Sequence, residues 1–154
     1  MGDNSGLAGH AAIVALWAFA TIVTGGFVAG LDAGLTYNTF PLMDGELIPS
    51  GLFQLSPAYL NFFENITTVQ FDHRIFAEAL FVLVLALWWR GRRRQLAPRS
   101  ALALNLLLAM VLVQVALGIT TLLLVVPVSI AAIHQAGAVV VLSLTVWVVH
   151  ELRA

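Results

Sequence analysis

The sequence predicts an all-α membrane protein: a bundle of four transmembrane helices with a long extracytoplasmic loop between helices 1 and 2. Three observations predict it. The chain of 154 residues is 60% hydrophobic and 10% charged, against about 45–50% and about 25% in an ordinary soluble domain. Residues 11–31 and 100–149 contain no Asp, Glu, Arg or Lys. Five of the seven basic residues, all arginine, fall in one short connection. A soluble domain of this size would bury only about 70% of the surface its unfolded chain exposes, so lipid must cover much of the rest. The length suits one domain over residues 1–154.

The first ten residues, MGDNSGLAGH, lack the positive charge of a signal-peptide n-region. Residues 11–31 form the first span, about 31 Å long at 1.5 Å per residue. The apolar run 75–89 is too short to cross alone; extended to residues 67–89 it suffices, and then encloses Asp72, His73, Arg74 and Glu78. Charge inside a span marks function or a water-accessible cavity. The long neutral run gives two crossings, about 101–125 and 129–149, broken at Pro127, because proline cannot continue a helix without losing a hydrogen bond. The turn between them is short, so these two spans are antiparallel neighbours.

Orientation follows from arginine. Arg90, Arg92, Arg93, Arg94 and Arg99 lie between the second and third spans, and Arg153 follows the fourth. The positive-inside rule places both regions in the cytoplasm. The expected protein is multi-pass in the bacterial cytoplasmic (inner) membrane, with both termini cytoplasmic. Trp88 and Trp89 fit an interfacial aromatic belt. The outer loop, residues 32–66, holds three of five prolines, four of eight acids and four of nine phenylalanines. It is too apolar for a disordered linker; we expect a short amphipathic helix near residues 57–63, lying on the outer ends of the spans. No internal repeat or low-complexity tract is evident.

Composition also excludes chemistry. Without cysteine there are no disulfides, thiolate metal sites, iron–sulfur clusters, covalently attached haem or thiol nucleophiles. Without lysine there is no Schiff base or P-loop lysine. A net charge of −1 gives no reason to expect nucleic acid as a partner.

Of four histidines, His10 and His150 sit at the inner ends of their spans and read as interfacial residues. His73 and His134 each lie roughly six residues inside the outer end of a span, hence about 9–10 Å down. Two neutral imidazoles at one depth, facing each other across a bundle, suit bis-histidine haem iron, and the bundle interior supplies apolar walls. The plainer alternative is two polar rings hydrogen-bonded to backbone or to Gln114 and Gln135. Zinc fits less well, since it usually takes three or four protein ligands. Arg74 and Glu78 share a helix face: they form an intramembrane ion pair, or Arg74 holds a haem propionate. Asp72 suits a first-turn acid favoured by the helix dipole. Gly26, Gly30 and Gly34 form a small-residue stripe expected to permit close helix packing, and Asn105, Gln114 and Gln135 read as interhelical hydrogen-bonding groups.

These residues carry a family resemblance. GLDAGLTYNTFPLMDGELIP, NFFENITTVQFDHR, LGITTLL and IHQAGA resemble the second half of haem A synthase of the alphaproteobacterial and mitochondrial type, over nearly the whole chain. The resemblance implies an oxidoreductase that converts a methyl group of haem O to the formyl group of haem A for cytochrome oxidase biogenesis. It also implies two similar four-helix halves. The first holds the substrate haem; the second holds haem b between two histidines, which map onto His73 and His134. In the first half a glutamate lies three residues before the span's histidine; here that position is Gln70. No catalytic residue is therefore assigned. The chain reads as the haem b half, whether a piece of a longer chain, a gene with a misassigned start, or a subunit that meets a separate N-terminal half or a homodimer mate. The alternatives are a stand-alone electron-transfer cytochrome b and a haem-free oxidase assembly factor.

Overall fold

The structure is a computed structural model and describes residues 5–153. Residues 1–4 and 154, part of the domain read over the whole chain, lie outside the described residues. Four long helices account for most of it: α1 (Ser5–Gly30), α3 (Ile66–Arg92), α4 (Pro98–Leu123) and α5 (Val128–Arg153), with a four-residue helix α2 (Asn61–Glu64) before α3. Each long helix begins before the apolar run that predicted it, because backbone hydrogen bonding need not stop at the hydrocarbon boundary; α3 and α5 also run past its end, whereas α1 stops at Gly30 and α4 at Leu123, just short of it. By length and apolar composition, α1, α4 and α5 can each cross a membrane. The protein is thus an all-helical, multi-pass membrane protein. Helix α3 is as long but carries Asp72, Arg74, Glu78, Arg90 and Arg92.

Local chemistry sets the helix ends. The Asn65 side chain caps α3 by accepting from the Thr68 amide at 3.0 Å, satisfying one of the free donors of the first turn. Arg90 and Arg92 occupy its last turn, where the helix dipole favours cations. Pro98 opens α4, where a missing N–H costs nothing. After α4 the chain reverses through Val125 and Val126, at φ 60° and 55°. That region is strained for β-branched residues. Val126 is held by its amide, which donates to the Thr121 carbonyl at 2.8 Å, and by packing against Gly34.

Helix α1 packs beside α3 and α5, and α4 beside α5 and α3. Helices α3 and α5 therefore face each other across the diagonal of the bundle. The apolar core runs through Leu7, Ala11, Val14 and Ala18 of α1, Leu80, Val84 and Leu87 of α3, Leu104, Leu107 and Val111 of α4, and Val141 and Val148 of α5. All of these lie in the half of the bundle near the α3–α4 connection. The core ends at Ala18, Leu80, Val111 and Val141, and the other half is organised mainly by polar contacts.

At that other end, the segment from residue 31 to residue 60 folds over the helices. Its tip is a tight turn in which Met43 and Glu46 exchange backbone hydrogen bonds at 2.9 and 3.0 Å. The turn is made by Asp44 and Gly45 at φ 50° and 85°, the left-handed pair that such a reversal needs. A 3-10 turn at Ala58–Leu60 followed by α2 stands where a short helix was expected. Asn61 is fully buried and gathers the segment: its amide nitrogen donates to the carbonyls of Leu55 and Ala58, and its oxygen accepts from the Leu55 amide, each at 2.9 Å. Asn38 ties the segment to α4 through the Leu122 carbonyl at 3.0 Å. Replacing Asn61 by Ala strands these buried groups, and we predict a loss of roughly 2–3 kcal/mol. Faster proteolytic nicking between residues 38 and 57, with the long helices intact by circular dichroism, is the measurement that checks it.

Candidate functional site

The site is built where the apolar core stops. His73 enters from α3 and His134 from α5, the two helices on the bundle's diagonal. They lie at matched depth, His73 being the eighth residue of α3 and His134 the seventh of α5.

Each ring rests against a glycine. A Cβ on Gly25 of α1 would come within 3.0 Å of His73 Cε1, and one on Gly118 of α4 within 3.0 Å of His134 Cε1. Any larger residue at either position would push the imidazole aside. Gly25 is the twenty-first residue of α1, and Gly118 the twenty-first of α4. The two hairpins, α1 with α3 and α4 with α5, thus present the same pair in the same register. No sequence repeat announces this correspondence.

The surroundings of the rings differ. His73 Nδ1 lies 3.0 Å from Thr24 Oγ1, and the Thr24 hydroxyl donates to the Thr21 carbonyl at 2.8 Å. A hydroxyl has one proton. With that proton on Thr21, the ring must donate, so Nδ1 carries hydrogen and Nε2 keeps its lone pair. This is the tautomer-setting support that metal-binding histidines commonly have. His134 Nδ1 is buried without a hydrogen-bond partner among the described residues. Gln114 donates to the His134 backbone carbonyl at 2.7 Å and not to its ring, while Gln135 is exposed. Among the described residues, neither glutamine side chain bonds an imidazole, which removes the glutamine half of the plainer alternative.

Arg74 stands one residue further along α3 and turns toward the covering segment. Its Nη2 donates to the Tyr37 carbonyl at 3.2 Å, and Nη1 to those of Pro41 and Leu42 at 3.5 Å each. Its Nε is buried and unpartnered among the described residues. Of the two alternatives for Arg74, the ion pair with Glu78 is not found among the described residues; Glu78 is exposed. Gln70 is buried and donates to the Tyr37 carbonyl at 3.0 Å, which makes it a fastening for the loop. A cavity of about 280 Å³ flanks the His73 side of α3, lined by Thr24, Phe27, Phe62, Phe63, Val69, Asp72 and Phe76. Asp72 therefore faces this crevice, well past the first turn of α3. No cluster of three or more His, Cys, Asp or Glu suited to a metal ion exists among the described residues.

The glycine stripe expected to pack tightly does not. Nothing lies within 4 Å of a Cβ built at Gly26 or Gly30, and of the three only Gly34 meets a neighbour. Close approaches occur instead at Gly25 and Gly118, at Gly137, which faces Gln114, and at Gly91, which faces Leu104. Sequence reasoning missed Thr24, Gly25 and Gly118. The available signal was depth: a ring entering from one helix needs a small residue at the same height on the antiparallel neighbour.

The comparisons with known proteins bear on this geometry. The sequence profile of a family described as "Cytochrome oxidase assembly protein" matches residues 2–146. The chain belongs to this family. It is 53% identical to the heme A synthase of Nitrosospira multiformis over 153 residues, 97% of this chain and 43% of that protein. It is 50% identical to the heme A synthase of Rhizobium meliloti over 145 residues, 93% of this chain and 38% of that protein. It is 49% identical to heme A synthase COX15 of Bos taurus over 135 residues, 88% of this chain and 33% of that protein. The chain therefore spans less than half the length of these family relatives. No solved structure matches.

The hydroxyl relay makes a prediction about the protein without cofactor. Imidazole nitrogen-15 spectra should show His73 as the Nδ1–H tautomer. Thr24→Val should shift it toward Nε2–H, and Thr24→Ser should restore it. A wild-type ring already in the Nε2–H form would mean that Thr24 does not set the tautomer.

Proposed function

We propose that this chain is the haem b-binding half of haem A synthase, the enzyme that converts haem O to haem A for cytochrome oxidase. One observation carries the reading: two imidazoles on diagonal helices, at one depth, each held against a glycine of the neighbouring helix. The residues fit the group. His73 offers an unprotonated Nε2, and His134 has a buried nitrogen with no protein partner. Neither ring is spent on a side-chain amide. Beyond them the apolar core gives way to phenylalanine-lined space. His73 and His134 would ligate the iron, and the unpartnered Arg74 Nε would hold a propionate. Haem b, when bound, supplies one-electron transfer. The chain fixes the ring orientations, keeps the Nε2 lone pair of His73 available and closes the outer end with the segment that Arg74, Gln70 and Asn38 tie down.

The same reading places α3 as a fourth membrane crossing, with Arg74 turned to the covering segment. The arginine-rich α3–α4 connection then lies in the cytoplasm with both termini, in the inner membrane of a bacterium. Residues 1–154 form one four-helix domain, and the covering segment is extracytoplasmic. Haem O and haem A are substrate and product of the complete enzyme. The complementary half is a second polypeptide segment or, in a homodimer, another copy.

Ligation predicts a low-spin visible spectrum. His73→Ala and His134→Ala should each abolish it or convert it to high spin. Gly25→Val and Gly118→Val should do the same by displacing the rings. A spectrum unchanged in both histidine variants overturns the ligand assignment. Absence of any haem spectrum in the wild type favours a haem-free assembly role.

We further predict that this chain alone makes no haem A in a membrane supplied with haem O, and that a four-helix first half restores the product. Oxidation of one haem with the help of another needs two haem sites, and the described residues supply one histidine pair. His10 is engaged by Arg90 at 3.0 Å, and His150 lies at the same, opposite end of the bundle from His73 and His134. Gln70 is an amide committed to the Tyr37 carbonyl and cannot accept a proton as a carboxylate does. Extraction and chromatography of the haems, with and without the first half, decides the matter. Haem A from this chain alone would show the half to be self-sufficient.

A further inference from the structure

The crevice of about 280 Å³ lies among α1, α2 and α3. Neither histidine lines it, and nor does Arg74, so it is separate from the space between the diagonal helices. Its walls are phenylalanine rings, each fixed by another aromatic. Phe76 stacks on Trp17 at 4.8 Å, Phe63 meets Phe27 edge-on at 5.3 Å, and Phe62 meets Phe53 edge-on at 5.5 Å. Into this apolar space Asp72 brings a carboxylate that has no hydrogen bond or ion pair among the described residues. An acid so placed in a membrane protein is costly, and such residues mark function. Thr24 is the other polar side chain of the lining. Its hydroxyl proton goes to the Thr21 carbonyl at 2.8 Å, and its oxygen accepts from His73 Nδ1 at 3.0 Å. A hydroxyl oxygen has two lone pairs, so Thr24 keeps one. The lining side chains therefore offer acceptors and no free donor.

We infer that this crevice binds a lipid-soluble hydroquinone, its ring held between the phenylalanines and one hydroxyl donating to Asp72. Each property of the ligand follows from the lining. It must donate a hydrogen bond, because only acceptors face it. It must carry its donor on an aromatic body, since rings set edge-on and stacked receive another ring best. The volume falls just below the roughly 300–1,000 Å³ of drug-sized sites, so it takes one substituted ring and not a macrocycle. Phe62 and Phe63 are half exposed on the outside of the bundle, so the ligand enters from the bilayer. A neutral hydroxyl reaches the carboxylate without the dehydration that an ammonium ion would suffer. The oxidised quinone presents only carbonyl acceptors and finds no donor, so the site discriminates the reduced form from the oxidised one. The inference is independent of the haem reading.

The test is equilibrium dialysis of the full chain in mild detergent, under argon, against tetramethylhydroquinone, its dimethyl ether and the corresponding quinone. The three share a ring and its methyl groups, and only the first donates a hydrogen bond. One saturable hydroquinone site is expected, with the ether and the quinone each about tenfold weaker or more, the worth of a hydrogen bond to a charged group. Asp72→Leu should erase that preference and leave binding of the ether unchanged. Asp72→Asn brings an amide donor into the crevice and should remove the discrimination against the quinone. Phe63→Ala should weaken all three compounds alike. Glu64→Gln removes a neighbouring acid that does not line the crevice and should change nothing. The comparison of the three compounds on the unaltered chain decides the question even if an Asp72 variant fails to fold. Equal binding of hydroquinone and ether, no saturable site, an unchanged preference in folded Asp72→Leu, or displacement of the hydroquinone by an equal concentration of dodecyltrimethylammonium would each overturn the proposal.

Discussion

A histidine can enter the middle of a helix bundle only where the facing helix gives up a side chain. The rest of this molecule is arranged around two such places. Gly25 and Gly118 admit the rings of His73 and His134, and both sit just beyond the end of the apolar core. Were the core continuous to the other end, large side chains would close the bundle and exclude the imidazoles. Were it absent, nothing would hold α3 and α5 at a fixed separation. The main apolar cluster lies in one half, and the buried polar groups Thr68, Gln70 and Asn61, with the buried apolar Ala33, Met43 and Val69, lie in the other. Close packing fixes the helices; the hydrogen-bonded end, closed by the covering segment, presents the two rings.

The matched register of the two hairpins follows from the same constraint. Each pairs a glycine at the twenty-first position of its first helix with a histidine at the seventh or eighth of its second. Antiparallel helices of 26 and 27 residues place those positions at one height. A diagonal arrangement then brings the two histidines together without either hairpin contacting the other's glycine. What differs is the support. His73 has the Thr24 hydroxyl, whereas the backbone carbonyl of His134 accepts from Gln114 and its ring nitrogen is left unpartnered. Near-equivalent geometry with unequal hydrogen bonding gives the two rings different electronic character.

Much of this was legible in the sequence. Charge-free runs and proline placed three of the long helices, and the depth of His73 and His134 followed from counting residues at 1.5 Å each. Helix α3 was harder, because Asp72, Arg74 and Glu78 break its apolar run; Arg74 is accounted for by its contacts to the covering segment, whereas Glu78 is exposed. The glycines were misread for a definite reason. Gly26, Gly30 and Gly34 repeat at helical spacing and so suggested packing, yet the Gly26 and Gly30 face is open. Gly25, one residue away, points about 100° round the helix at 3.6 residues per turn and faces His73. Periodicity finds stripes, but it does not say which stripe is turned inward. The ion-pair alternative for Arg74 and Glu78 is not realised for a related reason: spacing puts them on one face, but backbone carbonyls of the covering segment offer Arg74 nearer acceptors.

Those carbonyls show how the covering segment and the site are coupled. Arg74 is adjacent to His73, and its guanidinium reaches Tyr37, Pro41 and Leu42. Tyr37 is also held through its carbonyl by Gln70 and through its hydroxyl by Thr67 at 3.0 Å. One stretch of loop is thus gripped by three residues of the helix that carries the histidine, spread over its first three turns. A guanidinium partly buried among carbonyls has its donors only weakly satisfied at 3.5 Å, and its Nε not at all. An anionic group arriving beside His73 would be the stronger acceptor. Arg74 could take it through Nε while keeping Tyr37 on Nη2, so charge compensation at the site need not release the segment that seals it.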